Sequence, residues 1–536
     1  MKKSGLRILT VGIILLIAGC VSAPERSWPG ETWERSTPEA QGMDSEILLK
    51  MLKTVNPERL NIHSMVIIRN GRLVTEFYRE PYEKEMLHEI YSSTKSFTST
   101  LIGIAIDQGL IGSVKDSVFK YLPEYKPDDP LMAEMTIEDL LTMRSGVYWN
   151  DYKFYSTNAM MNGNDDWLHY FFSLAMDSAP GEEFVYNSGN SHALAEILNR
   201  VTDGNARQFA EEYLLTPLGI TDYVWSEAPG GCIVGLNGLS LRTEDLARLG
   251  YLFLNDGYWN GRKILSAGWV KKAIQIHADF RNLPLGSAAY GYEGYGYQWW
   301  IFRNGIYATM GYGGQFCFVY PEQNLIAAMN ASINVNQEGS IITMVGLGIQ
   351  RAAVSSGTLQ ENPEAEESLN EYLSSISKAQ QTGPFADTGI INKLTGHTIR
   401  FSENPAGLKS LSFSNGDNDE LICELVNNIP EELEGSPNEV ESTYKIKFAI
   451  GLDGEYRYAE IKLPGYGYIF PDKKYIVCAR AVKISSDTFI YNFTIPATAD
   501  YNITDTITLK DNTVSLIRSS PGYYGLQNSR SEGVIE

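Results

Sequence analysis

Ser92 and Lys95 stand three residues apart in Glu89-Ile90-Tyr91-Ser92-Ser93-Thr94-Lys95-Ser96-Phe97, at the head of an apolar run. On a helix, positions i and i+3 share a face, so the Ser92 hydroxyl and the Lys95 amine can occupy one small site. A serine hydroxyl is a weak nucleophile until a base takes its proton. A lysine can be that base only when its pKa is depressed, which burial and a helix N-terminus both do. Phe97, Leu101, Ile102, Ile104, Ala105 and Ile106 supply the burial, and Gly109 reads as the helix stop. This chemistry is acyl transfer through a covalent serine. The rival reading of Ser92 is a simple N-cap.

Ser-x-x-Lys recurs at Ser117/Lys120, Ser375/Lys378 and Ser442/Lys445. The first precedes a Tyr-Leu-Pro turn, the second lies in a Glu-rich segment, and the third lies in an alternating strand-like run. Only Ser92 heads a buried helix. Tyr186, in the Gly/Asn/Ser-rich stretch 181–190, offers a phenol that can pass a proton between Ser92, Lys95 and a leaving group. The rival reading is a tyrosine that only braces its loop. No nearby carboxylate stands out as a deacylation base. Gly311-Tyr312-Gly313-Gly314-Gln315 interrupts a run of strands, and glycines there mark close approach by a ligand or another backbone. A phosphate loop is excluded because the Walker lysine and the following helix are missing.

Several elements must position these groups. Residues 63–70 and 72–79 read as two strands around an Asn-Gly turn. Thr136 and Asp139 form a capping pair for a short helix, and residues 165–176 read as an amphipathic helix. A helix is expected over 193–201, another after Thr243 as N-cap, strands over 294–329 and a last helix over 341–354. Residues 357–384 read as a linker around a polar helix. From residue 385 short alternating runs dominate, as in an antiparallel sandwich or barrel without a catalytic constellation.

At 536 residues two or more domains are expected. A formal charge of −21 argues against nucleic acid or an anionic membrane surface as the main partner. Lys2, Lys3 and Arg7 precede an apolar stretch, Ile8 to Ile17, too short to span a bilayer comfortably. Leu16-Ile17-Ala18-Gly19-Cys20 resembles the bacterial lipobox, which implies cleavage before Cys20 and lipidation of that residue. The expected location is the bacterial cell envelope, periplasmic or cell-surface, with the membrane reached through a lipid anchor. The alternatives are a plain secretory signal or an uncleaved anchor. Cys232, Cys317, Cys423 and Cys478 have no metal-type spacing, so no metal is expected. Cys423 and Cys478 could pair; buried free thiols are the alternative.

Ser92-x-x-Lys95, then Tyr186, then Tyr312-Gly313-Gly314 resembles the three ordered motifs of the serine β-lactamase and penicillin-binding-protein superfamily. The chain is most similar to class C-related esterases and 6-aminohexanoate-dimer hydrolases, through 136–146, 238–257 and 311–321. The resemblance implies an α+β fold: an antiparallel sheet flanked by helices plus an all-helical region, with the site between them. It implies Ser92 as nucleophile, Lys95 as base, Tyr186 as the second-motif tyrosine, and the backbone N–H groups of Ser92 and Gln315 as the oxyanion hole. Ser188, Tyr312, Gly313 and Gly314 would meet the substrate, and no cofactor is implied. Two positions depart from the pattern. Ser188 stands where an amide is usual. Tyr312 replaces the Lys or His that meets a substrate carboxylate, which favours neutral esters or small amides.

The expected organisation is a signal peptide over 1–19, a tether over 20–30, the hydrolase domain over 31–356, a linker over 357–384 and the β domain over 385–536. The expected function is a lipid-anchored serine hydrolase of an ester or small amide. The alternatives are a D-alanyl peptidase or weak β-lactamase, or a non-catalytic penicillin-type sensor.

Overall fold

Helix α1 (Ser45–Val55), strands β1 (Ile62–Arg69) and β2 (Arg72–Tyr78), the short strand β3 (His88–Glu89) and helix α2 (Thr94–Asp107) follow one another in a computed structural model. It describes residues 27–151, 155–163, 165–280, 291–378, 382–383, 385–428, 443–463, 474–498, 502–522 and 525–536. Cys20, the signal segment and Ser442 lie outside the described residues.

The chain continues through α3 (Ile137–Leu141), α4 (Trp167–Ser173), α5 (Ser188–Val201), β4 (Leu239–Leu241) and α6 (Thr243–Leu254). Strands β5 (Ala278–Asp279), β6 (Tyr292–Tyr295), β7 (Trp300–Phe302), β8 (Tyr307–Gly311), β9 (Gln315–Tyr320) and β10 (Leu325–Ala331) come next. They join the first hairpin in an eight-stranded antiparallel sheet, ordered β2-β1-β10-β9-β8-β7-β6-β5. The Asn-Gly hairpin forms where expected, with Arg69 opposite Arg72.

Both faces of this sheet are covered, so β1 is buried at every position instead of alternating. Val66 and Ile68 join one core with Phe97, Leu101, Leu194 and Leu246. Met65 and Ile67 join the other, with Leu48 and Leu52 of α1. That second core also takes Leu369, Leu373 and Ile376 of α7 (Pro363–Ser377). The helix read as polar thus carries a narrow apolar stripe at helical spacing, too sparse among Glu and Ser to stand out by composition.

The fold is α+β, with an all-β region at its C-terminal end. Ten strands, β11 (Thr398–Phe401), β12 (Leu408–Asn415), β13 (Glu420–Asn428), β14 (Thr443–Gly451), β15 (Arg457–Lys462), β16 (Lys474–Ile484), β17 (Thr488–Thr494), β18 (Asn502–Lys510), β19 (Thr513–Gly522) and β20 (Gly525–Ile535), form one sheet. A bridge from Gly451 of β14 to Arg480 of β16 brings its ends together, so the sheet is barrel-like. Cys423 and Cys478 are buried free thiols, as are Cys232 and Cys317, so the considered pairing does not form.

Three local readings change. Helix α5 starts at Ser188 rather than 193, because the Asn187 side chain accepts from the N–H groups of Gly189 and Asn190 and so caps it earlier. Thr243 is the first residue of α6 and not its cap; its hydroxyl bonds Ser64 Oγ at 2.7 Å and accepts from Asn330 Nδ2 at 2.9 Å. The helix expected over 341–354 is three short pieces, a helix over Val335–Ile341, a π-turn over Ile342–Gly346 and a 3-10 turn over Ile349–Ala352.

Candidate active site

Ser92 lies in a 3-10 turn, Tyr91–Ser93, that runs directly into α2. Tyr91 is buried with φ of 45°, a left-handed conformation costly for a bulky residue, so the turn before Ser92 is strained. Strand β8 packs against this turn. A Cβ on Gly311 would stand 2.1 Å from the Ile90 carbonyl oxygen, so only glycine permits the approach. Ser93 Oγ donates to the Gln315 carbonyl at 2.8 Å and pins the start of β9 to the same turn. The two residues whose amides the resemblance assigns to an oxyanion hole therefore sit on elements fastened to each other.

Lys95 Nζ is 2.9 Å from Ser92 Oγ, 3.0 Å from the Leu236 carbonyl oxygen and 3.5 Å from Ser188 Oγ. Lys95 is 1% exposed, and burial lowers its pKa to about 7. A neutral amine has two N–H donors and one lone pair. Leu236 and Ser188 can take the donors, which leaves the lone pair for the Ser92 proton. The Asp151 carboxylate acts in the opposite direction on the amine, favouring the ammonium.

Tyr186 hydrogen-bonds Ser92, and its ring centre lies 5.0 Å from Lys95 Nζ. Burial raises its pKa, so the phenol keeps its proton near neutrality. Its ring stacks on Trp300 at 5.7 Å and meets Tyr295 edge-on at 6.3 Å, which fixes its aim. The Ser-x-x-Lys pair, Tyr186 and Ser188 thus converge on one site. Tyr312 joins its rim, with its ring 5.2 Å from that of Tyr91. Gly313 and Gly314 form the β8–β9 turn with φ of 75° and 100°. Two of the other Ser-x-x-Lys serines do local work: Ser117 caps a 3-10 turn, and Ser375 Oγ donates to the Tyr372 carbonyl.

Two contributors escape sequence reasoning. Gln298 is 2% exposed; its backbone carbonyl accepts from Ser96 Oγ at 2.7 Å and its Oε1 from Ser191 Oγ at 2.7 Å. Its Nε2 donates to the Leu140 and Leu141 carbonyls at 3.1 and 3.2 Å. One residue therefore ties together α2 and α5, which carry Lys95 and Ser188, and α3. Asp151, held by Thr157 Oγ1 at 2.7 Å, is the second. The only signal for either was a polar residue inside an aromatic stretch.

Among known families, the beta-lactamase profile matches residues 59–344. The 6-aminohexanoate-dimer hydrolase of Paenarthrobacter ureafaciens is 26% identical over 278 residues, 49% of this chain and 70% of that one. Protein flp of Staphylococcus aureus is 27% identical over 167 residues, 30% of this chain, and the match spans only 33% of flp. Among solved structures, the octameric penicillin-binding protein homologue from Pyrococcus abyssi aligns over 91% of this chain and 100% of that one, at 17% identity and a TM-score of 0.45.

Proposed function

The chain belongs to the beta-lactamase family of serine hydrolases, and from that premise we propose that it cleaves an ester or small amide through an acyl-enzyme on Ser92. The observation that carries this reading is the buried Lys95 amine 2.9 Å from the Ser92 hydroxyl, with its pKa lowered to about 7. Neutral Lys95 takes the Ser92 proton as Oγ attacks the substrate carbonyl. The backbone N–H groups of Ser92 and Gln315 receive the developing oxyanion, each such donor being worth several kcal/mol by order of magnitude. Tyr186 passes a proton to the departing alkoxide or amine, and the same three groups run in reverse when water releases the acyl group.

The choice of a neutral substrate rests on Tyr312, a phenol where the family pattern has a cation, packed against the Tyr91 ring. A relative named for hydrolysis of an amide dimer supports an amide or ester of that size. Attachment to the cell envelope through Cys20 is supported by the basic start, apolar stretch and small residues of positions 2–20.

A substrate panel tests the reading. Purified protein is given p-nitrophenyl acetate, a short p-nitroanilide and a chromogenic cephalosporin. Turnover of the ester or anilide, lost in Ser92→Ala, is expected. Preferential turnover of the cephalosporin would select the β-lactamase alternative. Binding with no turnover of any compound would select the sensor.

A further inference from the structure

Away from Ser92, a cavity of about 340 Å3 opens where the sheet domain meets the barrel. Its walls come from the turn after β2 (Arg79, Tyr82), the residue closing α7 (Lys378) and the barrel strands β16 to β18 (Arg480, Asn492, Asn502). Two guanidinium groups therefore enter it from different domains. Arg480 is 8% exposed, donates to the Gly454 carbonyl at 3.2 Å and lies 4.8 Å from the centre of the Tyr456 ring. Arg79 reaches the Pro57 and Ile62 carbonyls through Nη1 at 3.4 and 3.3 Å, and its buried Nε has no hydrogen-bond partner among the described residues. Burial presses the Arg79 pKa down, and the Glu58 carboxylate offsets part of that shift.

The carboxylates Glu58 and Glu80 also line the cavity, but both residues are exposed, as is Lys378; the inner charges are the two arginines. Neutral amides complete the lining. Asn492 is the register partner of Arg480, so the two side chains share one face of the sheet. Asn502 Nδ2 reaches Asn61 Oδ1 at 3.5 Å across the seam. A chain of net charge −21 has thus gathered one buried cation, one half-buried cation and several amides around one opening.

We propose that this cavity binds a small oxyanion-bearing molecule, a carboxylate or a phosphate, between Arg79 and Arg480. The planar guanidinium fork matches such oxygens with two parallel hydrogen bonds, and a desolvated cation is stabilised most by a hydrogen-bonded partner of opposite charge. The volume lies at the small end of the range for ligand sites. The occupant clamps the barrel onto the strand that delivers the nucleophile. Tyr82 of the cavity wall stacks on His63 at 3.7 Å, His63 Nδ1 lies 3.2 Å from His88 Nε2, and the neighbouring Glu89 N–H donates to the Ala497 carbonyl at 2.8 Å.

The test is calorimetric titration of the full chain with inorganic phosphate, with succinate and with sodium chloride at matched ionic strength, with unfolding midpoints followed in parallel. A saturable heat and a midpoint rise of about 2 °C or more are expected for phosphate or succinate and not for chloride, and the stronger of the two identifies the ligand chemistry. Arg480→Gln should weaken binding at least tenfold. Asn492→Asp, which sets a carboxylate beside Arg480, should do the same and serves if the arginine variant does not fold. No saturable heat with either anion, or unchanged binding in a folded variant, would overturn the proposal.

Discussion

Replacing Lys95 by methionine should alter the pH dependence of stability in a defined way. Burial lowers the Lys95 pKa from 10.5 to about 7 in the folded protein, whereas a lysine in the unfolded chain keeps its proton to about pH 10.4. Between those limits the unfolded state binds a proton that the folded state does not, so native stability rises with pH across that window. Below about pH 7 the full cost of the buried ammonium is present, and above about pH 10.4 it is gone. The slope is about 1.4 kcal/mol per pH unit, or roughly 4–5 kcal/mol in total over the window. Methionine has a similar length and no proton. The hydrogen bonds lost to Ser92, Ser188 and Leu236 add an offset, and the remaining titrating groups cancel in the difference. Urea unfolding of native protein and Lys95→Met at intervals from pH 6.5 to 10.5 reads it directly. The native protein should gain on the variant by that amount. A difference that stays flat with pH would refute a neutral Lys95 in the folded state, and with it the general base.

Three further substitutions address the rest of the site. Tyr186→Phe should lower kcat by about 10²–10⁴ with little change in KM, because it removes a proton relay and keeps the ring on Trp300; a change in KM alone would assign Tyr186 to binding. Asp151→Asn removes the carboxylate that favours the Lys95 ammonium, so the acidic limb of the kcat/KM profile, expected near pH 7, should move to lower pH; an unmoved limb would separate Asp151 from the base. Tyr312→Lys should raise acylation by carboxylate-bearing substrates relative to neutral esters, measured as a ratio of kcat/KM values, and an unchanged ratio would show that the position does not read charge.

The legible part of the site was local. Ser92 and Lys95 meet because one helical turn brings positions i and i+3 together, and the apolar residues after them already implied a lowered lysine pKa. The first hairpin followed from Asn70-Gly71, and the C-terminal sheet from its alternating runs. The illegible part depended on contacts distant in the chain. Gln298 joins three helices whose proximity no local pattern encodes. Asp151, far from Lys95 in the chain, acts on its charge only in the folded protein. Thr243 resembled a cap, yet its hydroxyl was drawn to Ser64 and Asn330 on two strands of the sheet. The stripe of α7 became meaningful only once α1 lay beside it. The order of the three motifs carried further than any one of them, because order reflects the fold as a whole.

The claim on which the rest stands is that Ser92 carries the acyl group. Native protein, mixed with p-nitrophenyl acetate and acid-quenched within milliseconds, would be digested and its peptides mapped by mass spectrometry. The account predicts an acetyl group on the peptide holding Ser92, absent in Ser92→Ala and much slower to form in Lys95→Met. An acetyl group on a different residue, or undiminished hydrolysis by Ser92→Ala, would contradict it.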